Sequence, residues 1–230
     1  VVGVSSDVNG EDHAFLWDPV NGMQDLGTRN SAARAINSLG QVVGDAEMAD
    51  GNSRAFLWEA GTMQDLGTLP GAIASIAYDI NDAGQVVGEA IFPGNPTVRA
   101  FIWDSVNGMQ DLGTLGGPNS IAYSINNTGQ VVGIAEAADT FGYAFLWDSA
   151  NGMQNLGTLG PTSSPFLGTT ISEAGSVNDG GQVVGWSFID TEVDRVQHAF
   201  LWDSVNGMQD LGTLPGGDNS FAASINNAGQ

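Results

Sequence analysis

The sequence is organised around one repeated motif, represented by Ala-Phe-Ile-Trp-Asp at 100–104 and Gly-Met-Gln-Asp-Leu-Gly-Thr at 108–114. The motif occurs five times, and its Trp recurs at intervals of 41 to 55 residues. A period of this length is typical of solenoids, propellers and arrays. Its aromatic residues are predicted to form the core, since each buries a large apolar area. They are Phe15, Trp17, Phe56, Trp58, Phe101, Trp103, Phe145, Trp147, Phe200 and Trp202.

Each repeat contains four short strand-like runs. In the second full repeat they are 75–81, 85–90, 99–103 and 109–113, bounded by Gly, Asn, Asp or Pro. The 33 Gly and the lack of a 3.6-residue apolar period exclude helical repeats. Tight Asn-x-x-Gly and Asn-Gly turns join the runs, so the sequence predicts antiparallel hairpins. Four such strands per repeat are typical of a propeller blade.

The two ends of the sequence are in register with each other. The last five residues, Asn-Asn-Ala-Gly-Gln at 226–230, are followed elsewhere by Val-Val-Gly, which here are residues 1–3. We therefore predict an all-β fold, a five-bladed β-propeller of four-stranded antiparallel blades. A single domain, 1–230, would contain five repeats of about 46 residues. The closing blade would be shared by 1–27 and 220–230, with an open β-solenoid as the alternative.

The motifs resemble the HAF repeats of bacterial extracellular proteins, named for a His-Ala-Phe triplet. The triplet is present at 13–15 and 198–200, whereas Arg54, Arg99 and Tyr143 replace His in the other repeats. The likeness extends to the Gly-Gln-Val-Val-Gly segments and covers the whole chain. The resemblance implies an exported, extracellular repeat protein, whose targeting segment would lie outside this chain. It supplies no catalytic residues.

Composition limits the classes of partner. The chain has 26 acidic residues against five basic ones, a net charge of −21, so nucleic acid and anionic membranes are unsuitable partners. No apolar run reaches the roughly 20 residues of a membrane span. Cysteine is absent, which excludes disulfides and thiolate metal sites.

Candidate binding residues lie where the repeats differ. The loops between second and third strands, and between fourth and first strands, vary in length, the longest being 158–171 and 188–197. Trp186 is the only Trp outside the motif, and Phe188 and Asp190 follow it. An exposed Trp beside carboxylates could stack on a sugar ring, although packing under the long loops is the alternative. On the first strands, the candidates for a small polar pocket are Arg34, Tyr78, Asp79 and Tyr123.

One acidic loop has the residue types of a cation site. Its candidate ligands are Asp7, Asn9, Glu11 and Asp12, and calcium prefers such oxygen ligands. The run does not match a complete EF-hand loop, and a solvated acidic loop is the simpler interpretation. Calcium is thus the one cofactor that the residues suggest.

No catalytic constellation is visible. His13 and His198 occupy the same motif position beside apolar residues, which favours a structural role at a strand end. We therefore expect a non-enzymatic, lectin-like extracellular binding or adhesion module whose ligand is a carbohydrate. The first alternative is a structural protein that assembles with copies of itself in an envelope or matrix. The second is a glycoside hydrolase, in which acids from separate blades would form the catalytic pair.

Overall fold

A computed structural model of the chain describes residues 1–94, 97–160, 171–190 and 195–230, with only the backbone of Thr28 and Asp190. The described residues form 19 β-strands and no helix. None of them belongs to a helix that is long and apolar enough to cross a membrane. The chain divides into two units, Val1–Asp111 and Leu112–Gln230.

The first unit contains three antiparallel sheets. Sheet 1 has three strands and sheets 2 and 3 have four, each in sequential order. The strands of sheet 1 are β1 (Val2–Ser6), β2 (Asp12–Asp18) and β3 (Gly22–Arg29); those of sheet 2 are β4 (Ser31–Ile36), β5 (Val42–Glu47), β6 (Ser53–Glu59) and β7 (Thr62–Asp65); those of sheet 3 are β8 (Ala74–Ile80), β9 (Val86–Ile91), β10 (Val98–Asp104) and β11 (Gly108–Asp111).

The second unit contains two four-stranded antiparallel sheets. The strands of sheet 4 are β12 (Gly116–Ile125), β13 (Val131–Ala137), β14 (Gly142–Asp148) and β15 (Gly152–Asn155); those of sheet 5 are β16 (Ser172–Val177), β17 (Val183–Asp190), β18 (Arg195–Asp203) and β19 (Gly207–Asp210). The predicted all-β class and antiparallel hairpins are confirmed. Five antiparallel sheets, one of three strands and four of four strands, are consistent with a five-bladed propeller. Pairing of 220–226 with β1 is not among the strand pairs of the structure, so ring closure stays a prediction.

Alternation along the Ala-Phe-Leu-Trp motif gives each sheet two apolar faces. We call the side that carries the Phe and Trp the leading face and the side that carries the Ala and Leu the trailing face. In the first unit, Ala55 and Leu57 on the trailing face of sheet 2 pack against Phe101 and Trp103 on the leading face of sheet 3. Equivalent clusters join sheet 1 to sheet 2 and sheet 4 to sheet 5. The core of each unit therefore lies between successive sheets.

The motif aromatics differ in burial according to their sheet. The Phe side chains of sheets 2 to 5 are completely buried, namely Phe56, Phe101, Phe145 and Phe200. Trp103 is 7% exposed, whereas Trp58, Trp147 and Trp202 are partly buried. Trp17 departs from the expectation of a core residue, because it is 42% exposed, and Phe15 is only partly buried. The reason is that in the first unit no sheet packs on the leading face of sheet 1.

The recurring Asn-x-x-Gly turns also connect neighbouring sheets. Asn37 Nδ2 donates to the carbonyl oxygen of Asn81 at 3.0 Å, across sheets 2 and 3. In the second unit, Asn178 Nδ2 donates to the carbonyl oxygen of Asn226 at 3.1 Å. The Asn thus has a structural role beyond its own turn, which accounts for its presence in every repeat.

Candidate functional site

Each four-stranded sheet carries a small set of residues that differs from sheet to sheet. The first strand has a register shift at the same place, and the bulged residue is Arg34, Tyr78, Tyr123 or Gly175. Two residues earlier, a cross-strand pair also differs between sheets; the pairs are Ala32–Asp45, Ile76–Glu89, Ile121–Ile134 and Glu173–Trp186. We call these three positions the individual positions. Bulges commonly re-aim side chains next to functional sites.

In the first unit, individual positions of sheets 2 and 3 form one polar cluster. Arg34 Nε donates to Asp45 Oδ1 at 2.8 Å, and the guanidinium carbon lies 5.3 Å from the centre of the Tyr78 ring. The Tyr78 hydroxyl donates to Glu89 Oε1 at 2.9 Å. The structure therefore brings together the predicted Arg34 and Tyr78. It adds the carboxylates of Asp45 and Glu89, which hold the same position of the repeat. That shared position marks them as variable in the sequence, but their contacts depend on the strand register.

Burial determines the protonation of this polar cluster. Glu89 is only 8% exposed, and burial raises the pKa of its carboxyl, while the Tyr78 hydrogen bond and the charge of Arg34 oppose the shift. Burial and the neighbouring Glu89 also raise the pKa of the Tyr78 hydroxyl. Tyr78 therefore remains a hydrogen-bond donor well above neutral pH.

Replacing Glu89 with Gln is expected to make the protein more stable than the wild type at neutral pH. Because burial raises the pKa of Glu89 above its usual 4.5, the folded state binds this proton more tightly than the unfolded chain does. Below about pH 4 the carboxyl is largely protonated in both the folded and the unfolded state. As the pH rises, the unfolded chain loses the proton first, and this lowers the free energy of unfolding. The difference in melting temperature between Glu89→Gln and wild type should grow as the pH rises above about 4, and should level off once Glu89 is ionised in the folded state as well. A difference that stays constant with pH would contradict the prediction.

Two other predicted pocket residues have different surroundings. Asp79 is partly buried, and one of its carboxylate oxygens accepts a hydrogen bond from the Ile80 amide at 2.9 Å. Tyr123 is the partly buried bulged residue of β12, in the second unit. Its placement in one pocket with Arg34 and Tyr78 stays a prediction.

An aromatic cluster surrounds Trp186, which is one of the individual positions of sheet 5. The ring centre of Trp186 lies 5.3 Å from Phe188 and 6.4 Å from Phe221, both edge to face. The guanidinium of Arg195 stacks 3.8 Å above the Phe188 ring. Trp186 is partly buried, whereas Phe221 is 60% exposed. The predicted Trp186 and Phe188 are thus in contact, and Phe221 completes the cluster.

A carboxyl group adjoins these rings. Glu173 pairs with Trp186 across the strands, and burial raises the pKa of Glu173, while a hydrogen bond from the Trp186 side chain lowers it. The side chain of Asp190 and the predicted loop residues 161–170 and 191–194 lie outside the described residues. The aromatic cluster therefore combines apolar ring surface with one hydrogen-bonding acid.

The acidic loop near the N-terminus is held by its own hydrogen bonds. Asp7 Oδ1 accepts from the amides of Asn9 at 2.8 Å and Glu11 at 2.9 Å, and Asp12 accepts from the Ser6 hydroxyl at 2.7 Å. Ligand atoms of Asp7, Glu11 and His13 lie within 4.8 Å of one another. Asp12 is not part of this group, and the predicted calcium set of Asp7, Asn9, Glu11 and Asp12 stays a prediction.

The ionic neighbours of this loop are already protein groups. Glu11 is 3.3 Å from Arg29, and His13 Nδ1 is 3.0 Å from Asp25. At the equivalent position of sheet 5, His198 Nδ1 is 3.0 Å from Asp210. Arg99 of sheet 3 likewise pairs with Asp111 at 2.9 Å. His13, His198 and Arg99, at the first position of the triplet, thus contact the equivalent motif Asp. Arg54 differs, because its guanidinium pairs with Asp50 of the preceding loop at 2.8 Å.

Antiparallel sheets recur along the chain, and the four-stranded ones carry individual positions on the same scaffold. This arrangement is that of a repeat protein of the β-propeller type. The chain belongs to DUF3466, a family described as protein of unknown function, whose model matches residues 70–165 and 118–214. No curated protein sequence matches the chain. The specific HAF assignment stays an expectation from the motifs.

Solved structures show the same fold at low sequence identity. The chain is similar to TolB from Acinetobacter baumannii with a TM-score of 0.56 and 16% identity, over 89% of this chain and 49% of that one. It therefore spans about half the length of TolB. It is also similar to a gluconolactonase from Xanthomonas campestris, with a TM-score of 0.50 and 15% identity over 99% of this chain and 76% of that one. These identities bear on the fold alone.

Proposed function

We propose that this protein is an extracellular, non-enzymatic binding module whose ligand is a carbohydrate. The observation that carries the proposal is the contrast between framework and individual positions. Ser, Ala, Val-Val-Gly and Ala-Phe recur in the sheets, whereas the bulged residue and its cross-strand neighbours differ. A rigid scaffold that presents different side chains at equivalent places is the usual design of a binding surface.

The chemistry of the two clusters suits sugars. Carbohydrates present apolar ring faces edged with hydroxyls, so their sites need an aromatic surface beside fixed donors and acceptors. In the second unit, Phe221 and Trp186 provide the aromatic surface beside the carboxyl of Glu173. In the first unit, Arg34 and Glu89 provide donors and an acceptor beside the ring of Tyr78. The net charge of −21 favours neutral or basic glycans over acidic ones.

The test is a glycan-binding screen in the presence and absence of calcium, with hydrolysis followed in the same samples. Trp186→Ala should weaken binding about 10-fold or more, the usual effect of removing a central aromatic. Tyr78→Phe should weaken binding if the polar cluster takes part, because it removes one hydroxyl and little volume. Its matched control is Tyr143→Phe, since the Tyr143 hydroxyl donates at 2.7 Å to Asp139, outside both clusters.

The outcomes separate the functional hypotheses. Binding that survives Trp186→Ala and Tyr78→Phe, in variants that retain the wild-type melting temperature, would contradict the assignment of the ligand to these clusters. Glycan cleavage that requires Asp45 or Glu89 would replace the binding proposal with the glycoside hydrolase alternative. Calcium dependence would connect binding with the loop that contains Asp7 and Glu11.

Self-assembly is the second candidate function, and a separate observation favours it. The leading face of sheet 1 and the trailing face of sheet 5 expose apolar residues whose equivalents in other sheets are buried or partly buried. Met23 and Leu211 are 59% and 55% exposed, respectively. Exposed apolar surface of this kind marks interaction sites.

A further inference from the structure

The polar cluster of the first unit contains two acids at the same position of the repeat. Asp45 of sheet 2 has a cationic partner, because its Oδ1 accepts from Arg34 Nε at 2.8 Å, while its Oδ2 accepts from the Ser53 hydroxyl at 3.2 Å. Glu89 of sheet 3 has none, since no ion pair among the described residues includes it. The protein therefore satisfies both oxygens of Asp45 but leaves Glu89 without a cation.

The bulged residue of the first strand causes this difference. In sheet 2 it is Arg34, whose guanidinium pairs with the acid of its own sheet. In sheet 3 it is Tyr78, whose neutral hydroxyl donates to Glu89 Oε1 at 2.9 Å. The charge of Arg34 acts on Glu89 from beyond the Tyr78 ring, but the carboxylate that Arg34 contacts is Asp45. The change from Arg to Tyr thus separates the acid of sheet 3 from a cation.

The second carboxylate oxygen of Glu89 is open to an incoming donor. Among the described residues, Glu89 accepts one hydrogen bond, from Tyr78 to Oε1. Oε2 is not one of the fully buried side-chain atoms that lack a partner in the same part of the chain. An oxygen that is neither hydrogen-bonded nor sealed reaches solvent. A ligand can therefore contact Oε2, although Glu89 as a whole is only 8% exposed.

The scaffold does not need an acid at this position. The equivalent residues of sheets 4 and 5 are Ile134 and Trp186, so the same strand pairing forms around apolar side chains. A buried carboxylate without a cation also destabilises a fold, because burial removes water from the charge. Ionisable groups that are retained in this way, at a cost in stability, are typical of functional sites.

The group that would complete the site is a small cation. An ammonium ion offers three N–H donors around one nitrogen, so it can reach a single recessed oxygen. The net charge of −21 raises the concentration of cations near the surface of the protein. Arg34 beside Asp45 shows the same pairing, between a cation and the acid at this position, already made within sheet 2.

We propose that Glu89 binds an ammonium group of the ligand. With the carbohydrate function proposed above, on which this inference rests, the ligand class becomes the amino sugars. The ammonium donates to Glu89 Oε2 while the Tyr78 hydroxyl holds Oε1. N-acetylation of the sugar removes the charge and leaves Glu89 buried without a cation, so the site discriminates against acetylated and neutral sugars.

The first test compares glucosamine with N-acetylglucosamine, by ligand-observed NMR near neutral pH. The wild type should bind glucosamine about 10-fold or more tightly, because a charge-assisted hydrogen bond replaces a neutral contact. In Glu89→Gln this ratio should fall to about one, since Gln keeps the volume and the hydrogen bond with Tyr78 but removes the charge.

The matched control is Glu59→Gln, which removes an exposed acid at the end of β6 in the same unit and should keep the preference. Glu89→Gln is expected to be more stable than the wild type at neutral pH, so a lost preference would not reflect unfolding. Equal binding of the two sugars by the wild type, or an undiminished preference in Glu89→Gln, would overturn the ammonium site. Either result would leave the broader carbohydrate function standing.

The second test does not depend on sugar binding. Relative to sodium chloride at the same concentration, propylammonium chloride should raise the melting temperature of the wild type by more than that of Glu89→Gln, because a ligand that binds the folded state stabilises it. If neither sugar binds and this difference is present, the ammonium site stands and the carbohydrate function fails. If neither sugar binds and the two proteins respond equally, the ammonium site is overturned as well.

Discussion

Replacing Gly88 with alanine is expected to destabilise the first unit by about 3 kcal/mol or more, beyond the usual cost of overpacking. The added Cβ would lie 1.9 Å from the carbonyl oxygen of Ile76, and 3.0 Å from the Cα of Ala77. Both atoms belong to the backbone of β8, so no side chain can move aside to make room. To make room, β8 would have to move away from β9, and the contact of Tyr78 with Glu89 would be lost with this local pairing.

The matched control is Gly3→Ala, which changes the same motif position in a sheet without a first strand. Its Cβ would meet only the far end of the Phe15 side chain, at 2.9 Å, and that ring can move. Chemical denaturation at low protein concentration should therefore give a small loss of stability for Gly3→Ala and a large one for Gly88→Ala. Similar losses in the two variants would show that the approach of the first strand is not what requires glycine.

The repeated architecture could be predicted from sequence because its determinants are local. Alternating Ala-Phe-Leu-Trp, the Asn-Gly turns and the motif spacing each depend on neighbours within a few residues. The antiparallel hairpins therefore followed from pattern alone. The exposure of Trp17 did not, because its environment depends on whether another sheet packs on that face. A sequence repeat shows which residues are equivalent, but it does not show whether a further sheet packs against each repeat.

The candidate site was only partly predictable for a related reason. Arg34 and Tyr78 differ between repeats, which marks them as individual, and the structure brings them together. The part played by Glu89 required knowledge of the register, since its carboxylate meets Tyr78 only because Ile76 pairs with Glu89 across a bulge. Phe221 was likewise visible as a variable residue. Its contact with Trp186 depends on the packing of 220–225 against sheet 5.

Replacing Phe101 with alanine is expected to destabilise the first unit by about 3–5 kcal/mol, the range for removing a buried aromatic ring. Phe101 is completely buried, and its ring packs in the cluster between sheets 2 and 3. Hydrogen-bonded pairing within both sheets limits how far they can close around the space that the ring leaves. The loss should exceed that from Trp17→Ala, because Trp17 belongs to the same motif but is 42% exposed.

The measurement is the free energy of unfolding from denaturant titration, with Val106→Ala as a surface control in the same repeat. Val106 is 87% exposed and should change stability by less than about 0.5 kcal/mol. If Phe101→Ala and Trp17→Ala cost the same, the leading face of sheet 1 must be covered in solution. Repeating the comparison at several protein concentrations then identifies what covers this face. If the loss of unfolding free energy caused by Trp17→Ala rises with protein concentration, a second copy covers the face. If the loss is constant, the other end of the same chain covers it.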